Sequence, residues 1–301
     1  MFNIAITPQC GFECDHCLAS SGPNRKHPPK QRILDILEFL AGFDEDCDVS
    51  FNVVGGEPTR HPAFDEIIWS AARLCDENLR LVTNAEWIFD LEKTYEIIDS
   101  LRDAANIMPD YGEFWIVISN DQYHRCFTSE AQLKQAKDII DEMSCGLKIE
   151  CSLENYKYDR FVAPLGRGKI IAQNSQRFME ASPCCCCGVN GAEWDEWIEE
   201  DGQDEISISF HDTNIDWNGN FSLCEDGGMR YANVFKHTRE EIRELHRVAF
   251  LWLHLKFIGS MCDYEPQKRH VTSMACFDCQ SSWRKEWAKF LKQYKEEREI
   301  I

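Results

Sequence analysis

The sequence predicts an α/β fold in which short strands alternate with helices around a parallel sheet. Five short, β-rich apolar runs are strand candidates: residues 2–7, 48–54, 79–83, 114–119 and 147–152. Between these runs, apolar residues recur at helical spacing, as in 33–40, 64–71 and 133–140. This alternation is typical of βα units, whose helices cover a parallel sheet.

The composition excludes several classes of function. The chain has 301 residues, with 32 Lys and Arg against 52 Asp and Glu, so its formal net charge is −20. Binding to DNA, RNA or anionic lipid depends on neutralising phosphates with Lys and Arg, so we expect no nucleic-acid partner. No apolar run approaches the roughly 20 residues that a bilayer crossing needs, and we expect no membrane partner.

The cysteine content points to metal chemistry. The chain contains 16 cysteines, and its first residues, 1–7, lack the charged and then apolar pattern of a signal peptide. We therefore expect a cytoplasmic protein. In a reducing cytoplasm disulfides are rare, and clustered cysteines more often bind metal or act chemically.

The pattern changes after about residue 183. Asn218-Gly219 lies between two short apolar runs, which predicts a β-hairpin. Thr238 and Glu241 have the spacing of a capping box and predict a helix through about Phe257. A last amphipathic helix is expected around 283–294. With no long linker in between, this second part should pack on the first.

The first cysteine cluster follows the first strand candidate directly. Cys10, Cys14 and Cys17 form a C-x3-C-x2-C arrangement. Three thiolates do not complete the all-sulfur shell of a structural zinc site, but they can hold three irons of a [4Fe–4S] cluster and leave the fourth iron open. The alternatives are a zinc site that borrows a fourth ligand such as His16, or three unrelated buried cysteines.

A glycine-rich turn follows the second strand candidate. Its residues are Gly55-Gly56-Glu57-Pro58. The two glycines let the backbone approach a ligand closely, and a carboxylate can accept a hydrogen bond from an ammonium group.

Together, the two motifs resemble those of the radical S-adenosylmethionine (SAM) superfamily. The resemblance implies a partial (β/α)6 TIM-like barrel over residues 1–180, in which Cys10, Cys14 and Cys17 ligate a [4Fe–4S] cluster. SAM would chelate the open iron, with the 55–58 turn at its methionine amino group. The reduced cluster would then generate a 5′-deoxyadenosyl radical that abstracts a hydrogen atom from substrate.

The same resemblance implies further residues near SAM or substrate, namely Thr83, Asn84, Ser119, Asn120 and Arg167. Asp121 and His124 are candidates for proton transfer. Turns, helix caps and a solvated loop are equally ordinary roles for these residue types.

A second cysteine cluster occupies the C-terminal third of the chain. The run 184–187, Cys224, and the pair Cys276 and Cys279 resemble the twitch domain, the shortened form of the SPASM domain that follows some radical SAM barrels. The resemblance implies that residues 181–301 form a small α+β hairpin-helix domain with one auxiliary [4Fe–4S] cluster. Its first ligand would be Cys187, which we choose for its proximity to Gly188. A zinc site is the alternative.

Three functions remain open. In sulfatase-maturing relatives the acidic residue after the hairpin cysteine removes a substrate proton, so Glu225 is the first candidate base. Residues 193–205 carry eight carboxylates in thirteen positions and would suit a Lys- or Arg-containing peptide, as in the maturation of ribosomally made peptides (RiPPs). Because the first strand begins at residue 2, a leader-peptide-binding function would come from a separate protein. A sugar or cyclitol alcohol dehydrogenase and a non-catalytic zinc-binding interaction protein are the alternatives.

A local basic segment follows the first cluster. Residues 24–32 contain Arg25, Lys26, Lys30 and Arg32 in an otherwise acidic chain. We expect an acidic electron donor such as flavodoxin or ferredoxin to dock here, because electrostatic steering needs only a local positive face. A solvated loop is the alternative.

Overall fold

The computed structural model describes residues 1–17, 19–43, 49–143, 149–154, 213–223, 230–262 and 284–298. Its strands are β1 (Phe2–Ala5), β2 (Phe51–Val54), β3 (Asn78–Thr83), β4 (Glu113–Ser119), β5 (Ile149–Glu154), β6 (Thr213–Ile215), β7 (Asn220–Ser222) and β8 (Arg230–Asn233). Its helices are α1 (Lys30–Ala41), α2 (Phe64–Leu74), α3 (Leu91–Ile107), α4 (Glu130–Met143), α5 (Arg239–Cys262) and α6 (Arg284–Arg298). Two short 3-10 helices, Pro58–Arg60 and Glu86–Phe89, follow β2 and β3.

The strands form one sheet in the order β5-β4-β3-β2-β1-β6-β7-β8. Strands β1 to β6 pair in parallel, whereas β7 and β8 are antiparallel to their neighbours. The α/β class with a parallel-rich sheet is therefore confirmed. All five predicted strands are present, with ends that differ from the predicted ones by a few residues.

One face of the sheet is continuously apolar. Ile4 lies beside Val53, Val53 beside Leu81, and Leu81 beside Ile116. Each of these four side chains is at most 1% exposed. Because alternate residues of a strand point to the same face, their register produces a row of buried side chains across four strands.

The helices bury the apolar stripes that their sequences predict. Helix α1 buries Ile33, Ile36, Leu37 and Leu40, and α4 buries Leu133, Ala136 and Ile140. These residues belong to the same hydrophobic core as the buried strand residues. The helices therefore cover the sheet and leave the loops at its carboxyl edge to form a site.

The predicted hairpin is present and extends the main sheet. Gly219 has φ +77°, and a Cβ atom there would lie 2.5 Å from a methyl group of Val234, so the turn requires glycine. Strand β6 pairs in parallel with β1, with Phe2 opposite Thr213. The described hairpin thus continues the sheet of β1–β5. The division of the chain at residues 180 and 181 stays a prediction.

The capping box at the start of α5 is confirmed. Thr238 N–H donates to Glu241 Oε2 at 2.7 Å, and Glu241 N–H donates to the Thr238 hydroxyl at 3.2 Å. The helix continues past the predicted end, to Cys262. In α6, Trp287 is 2% exposed and its indole N–H donates to the Arg230 carbonyl at 2.9 Å, which fastens the helix to β8.

Among the described helices, none combines the length and the apolar character that crossing a membrane would require.

Candidate functional site

The candidate site lies at the carboxyl edge of β1 to β4. Parallel strands all end at this edge, so the loops that follow them come together there, as in other open α/β sheets. The loop after β1 carries the three cysteines, and the loops after β2, β3 and β4 pack around it.

The first cysteine cluster is largely enclosed. Cys10 and Cys14 are 7% and 5% exposed and form a small buried cluster with Phe12, while Cys17 is half-buried. All three are free thiols. Cys17 N–H donates to the Cys14 carbonyl at 3.1 Å, so the last two cysteines share one tight turn.

Backbone and amide N–H groups point at two of the sulfurs. Asn84 Nδ2 and Phe12 N–H donate to Cys10 Sγ at 3.3 and 3.4 Å, and Ser21 N–H donates to Cys17 Sγ at 3.3 Å. Burial raises the pKa of the Cys10 thiol, and the nearby charge of Glu57 raises it further. Bound iron would deprotonate such thiols, and N–H donors to sulfur suit the resulting thiolates. The donor set therefore fits an iron–sulfur cluster.

The Gly55-Gly56 turn is packed against the backbone of the cysteine loop. Gly55 has φ +151°, and a Cβ atom on Gly56 would lie 2.2 Å from the Gln9 carbonyl oxygen. Gly56 N–H donates to the Thr7 carbonyl and Glu57 N–H to the Gln9 carbonyl, both at 2.7 Å. In the described structure the close approach that requires glycine is thus an approach to the chain segment leading into Cys10.

The Glu57 carboxylate is fully buried and accepts four hydrogen bonds. Its donors are the N–H and the hydroxyl of Thr59 at 3.2 and 2.7 Å, the Thr83 hydroxyl at 2.8 Å and the Asn84 N–H at 2.7 Å. Burial, and to a smaller extent the charge of Glu86, raise the pKa of Glu57 to about 7. The hydrogen-bond donors lower the pKa but do not outweigh burial. The carboxylate ties the turn after β2 to the turn after β3. Its contact with an ammonium group stays a prediction.

A second acidic residue at the site was not singled out from the sequence. Glu86 forms an ion pair with Arg60, and its carboxylate accepts the Gly11 N–H. A Cβ atom on Gly11 would lie 2.0 Å from Glu86 Oε2, so the loop between the first two cysteines rests against this carboxylate. The only sequence signal was a glycine directly after Cys10.

The loop after β4 packs on the cysteine loop through stacked rings. Phe12 and Phe127 stack with centroids 4.8 Å apart and planes 11° apart, and His16 stacks on Tyr123 with centroids 4.5 Å apart. These contacts cover the cysteine loop with aromatic side chains from the 119–128 segment.

The predicted polar residues at the strand ends are buried at this edge. Thr83, Asn84, Ser119, Asn120 and Asp121 are 2–7% exposed. Thr83 and Asn84 hold Glu57, and Asn84 also reaches Cys10, as described above. Their contacts with SAM or substrate stay predictions.

Asp121 joins two histidines. Its Oδ2 atom lies 2.5 Å from His124 Nδ1 and 3.7 Å from His16 Nε2. Burial would raise the pKa of Asp121, but the hydrogen bond and charge of His124 and the charge of His16 outweigh burial and lower the pKa to about 2. The carboxylate is therefore ionised throughout the neutral range.

The remaining predicted site residues lie outside the described residues. These are Arg167, Cys187, Cys224, Glu225, Cys276 and Cys279. The auxiliary cluster and its ligands stay predictions.

The site has the features of an iron–sulfur centre. Its three-cysteine loop is enclosed and lies beside a glycine-rich turn at the carboxyl edge of a parallel sheet. The family model of the radical SAM superfamily matches residues 4–143, which contain all of these loops. This part of the chain is a radical SAM superfamily domain, and membership implies a [4Fe–4S] cluster and SAM as cofactors of an enzyme.

Three solved structures are similar to the chain. BtrN in complex with AdoMet and 2-DOIA matches at 13% identity and TM-score 0.47, over 83% of each chain. Native anSMEcpe with bound AdoMet and Cp18Cys peptide matches at 11% identity and TM-score 0.47, over 99% of this chain and 96% of its own. Streptococcus suis SuiB bound to the precursor peptide SuiA matches at 15% identity and TM-score 0.36, over 75% of this chain and 59% of SuiB. No curated protein sequence matches the chain.

Proposed function

We propose that the protein reductively cleaves SAM at a [4Fe–4S] cluster held by Cys10, Cys14 and Cys17, and that it oxidises or cross-links a peptide substrate after hydrogen abstraction. The observation that carries this proposal is the enclosed three-cysteine loop at the carboxyl edge of the sheet, braced by the Glu57 turn. The family match over this region supports the chemistry. The cysteine content favours the cytoplasm as the proposed location.

The bound cluster and SAM would supply one-electron reduction of a sulfonium and a carbon radical that removes a hydrogen atom. The chain's own residues would hold the cluster, orient its ligands and shield it from solvent. Asn84 and the Phe12 N–H donate to Cys10 Sγ and favour its thiolate form. Phe12 and Phe127 would keep water and oxidants away from the cluster loop.

The backbone of Gly55-Gly56 and the residue Pro58 are the proposed neighbours of the SAM amino group. Thr83, Asn84, Ser119 and Asn120 are proposed to lie near SAM or substrate, because they end the strands that surround the cysteine loop. Arg167 keeps this role on the resemblance alone.

The second half of the proposal rests on sequence. Cys187, Cys224, Cys276 and Cys279 would hold one auxiliary [4Fe–4S] cluster. Glu225 beside Cys224 would take a proton from the substrate, which makes the substrate radical easier to oxidise; Asp121 is the second candidate for proton transfer. The acidic 193–205 segment supports a basic peptide as substrate.

Iron counting separates the proposal from its alternatives. Anaerobic reconstitution should yield about eight irons per chain if both sites hold [4Fe–4S] clusters. Cys14→Ala should lower the count to about four, whereas Cys126→Ala, which removes an exposed thiol of the same region, should leave it unchanged. About four irons in the wild type would exclude the auxiliary cluster. Bound zinc without iron would favour the non-catalytic zinc-binding protein.

The substrate class has its own test. Mass spectrometry of material that copurifies with the Cys14→Ala variant should detect a basic peptide. A copurifying sugar or cyclitol, dehydrogenated by the wild-type enzyme, would instead favour the small-molecule dehydrogenase.

A further inference from the structure

A second group of ligand-type side chains lies beside the cysteine loop. His16, Asp121 and His124 each offer one ligand atom, and these three atoms lie within 4.8 Å of one another. The group joins two separate loops, because His16 belongs to the cysteine loop and the other two residues follow β4.

The carboxylate at the centre of this group is held in a fixed orientation. Asp121 Oδ1 accepts the backbone N–H groups of Tyr123 and His124 at 2.9 and 3.1 Å. Those bonds leave Oδ2 directed at both imidazole rings. Hydrogen bonds that orient a ligating carboxylate in this way are typical of the surroundings of metal sites.

The imidazole rings are also held in place. His16 stacks on Tyr123 with planes 20° apart, and its ring meets that of His124 edge-on at 5.0 Å between centroids. The Asp121 side chain is 5% exposed, and those of His124 and His16 are 18% and 25% exposed. The group is therefore ordered and largely enclosed, yet open on the side of the histidines.

We propose that His16, Asp121 and His124 form a binding site for a divalent transition-metal ion, separate from the iron–sulfur clusters. Two imidazoles and one carboxylate suit Zn²⁺, Fe²⁺ or Mn²⁺. Ligand atoms about 2.1 Å from one ion lie roughly 3–3.5 Å apart. Asp121 Oδ2 lies 2.5 Å from His124 Nδ1 and 3.7 Å from His16 Nε2, on either side of that spacing. Three protein ligands leave open positions, which a carboxylate or hydroxyl oxygen of a bound small molecule would fill.

The site gives Asp121 a role other than proton transfer. It also goes beyond the proposed function, because it requires neither SAM cleavage nor a particular substrate. A metal-binding measurement without SAM therefore tests the site by itself, and its failure leaves the radical SAM proposal standing.

Mn²⁺ is the probe of choice for the full, cluster-reconstituted chain. Carboxylates suit Mn²⁺ well, whereas thiolates select softer metals, so the cysteines compete poorly for it. Excess Mg²⁺ in the buffer would occupy the oxygen-only sites of this acidic surface. Electron paramagnetic resonance (EPR) of free Mn²⁺ should then reveal one bound ion per chain, and pulsed EPR should detect coupling to imidazole nitrogen.

Variants of Asp121 and His124 test whether the ion binds at this group. Asp121→Asn and His124→Ala should each weaken Mn²⁺ binding at least about tenfold, and His124→Ala should reduce the nitrogen coupling. The matched control is Asp141→Asn, which neutralises a partly exposed carboxylate on α4 paired with Lys137 and should bind Mn²⁺ as the wild type does.

Two results would overturn the proposal. The first is Mn²⁺ bound to the wild-type chain without nitrogen coupling, a measurement that depends on no variant. The second is equal Mn²⁺ affinity in Asp121→Asn and Asp141→Asn. Either would mean that Asp121 and His124 are only a hydrogen-bonded pair.

Discussion

The backbone N–H of Asn84 donates to Glu57 Oε2 at 2.7 Å, and the side chain of the same asparagine donates to Cys10 Sγ at 3.3 Å. Asn84 thus connects a fully buried carboxylate to a proposed cluster ligand. The glycine-rich turn, the end of β3 and the first cysteine form one hydrogen-bonded unit. Substitution of Glu57 should therefore also disturb the cysteine loop.

Replacing Glu57 by alanine should destabilise the protein strongly. The change leaves two backbone N–H groups and two hydroxyls without their acceptor in a buried place, and one such orphaned donor costs about 1–3 kcal/mol. We expect the free energy of unfolding in urea to fall by at least about 3 kcal/mol. The control is Glu66→Ala, which removes a carboxylate paired with Lys30 at the surface and should cost less than about 1 kcal/mol. Similar losses in both variants would contradict the role of Glu57.

The pH dependence of stability should carry the signature of Glu57. Its pKa is raised from 4.5 to about 7, so the folded protein binds a proton between these values that the unfolded chain releases. Stability from this group is therefore present at pH 4.5 and is lost as the pH rises through 7. Relative to Glu57→Gln, which does not titrate, the wild type should lose up to about 3 kcal/mol between pH 5 and pH 8. Urea unfolding at several pH values measures the difference between the two proteins, and a constant difference would contradict this pKa.

Gly56→Ala should disrupt the cysteine loop. The new methyl group would lie 2.2 Å from the Gln9 carbonyl oxygen, and backbone cannot move aside as a flexible side chain can. We expect the iron content after reconstitution to fall by about four per chain. Gly22→Ala is the matched control, because the atoms nearest to its Cβ atom would belong to the flexible Glu13 side chain, at 3.2 Å or more. Full iron content in Gly56→Ala would show that this close approach is not required.

Charge reversal in the basic segment should slow reduction by a protein donor. Arg25 and Lys26 are exposed next to the cysteine loop, as docking of an acidic flavodoxin would require. The double variant Arg25→Glu/Lys26→Glu should be reduced more slowly by flavodoxin and at the wild-type rate by dithionite. Lys285→Glu/Lys289→Glu makes the same charge change on the exposed face of α6 and should have no effect. Equal slowing with flavodoxin and dithionite would exclude docking at this segment.

Local patterns predicted most of the described fold. The strands and the apolar stripes of the helices follow from apolar periodicity. The hairpin turn follows from Asn218-Gly219 and the start of α5 from the Thr238–Glu241 capping box, and both signals involve only neighbouring residues. The parallel pairing of β6 with β1 was not predictable in this way. It joins Phe2 to Thr213, and no local signal specifies a pairing over such a distance.

The site was predictable in its motifs but only partly in its contacts. The Gly55-Gly56 turn was expected to approach a ligand, whereas its glycines meet the backbone of Thr7 and Gln9 in the described structure. The spacing of Asp121 and His124 is visible in the sequence. Their meeting with His16 depends on how two loops pack, which spacing does not encode.

The most direct test of the account is the formation of 5′-deoxyadenosine. The anaerobically reconstituted chain, given SAM and dithionite, should produce it, and Cys14→Ala should not. Cys126→Ala should produce it at the wild-type rate. Formation of 5′-deoxyadenosine by Cys14→Ala, or none by an iron-loaded wild-type chain, would contradict the assignment of Cys10, Cys14 and Cys17 as the site of SAM cleavage.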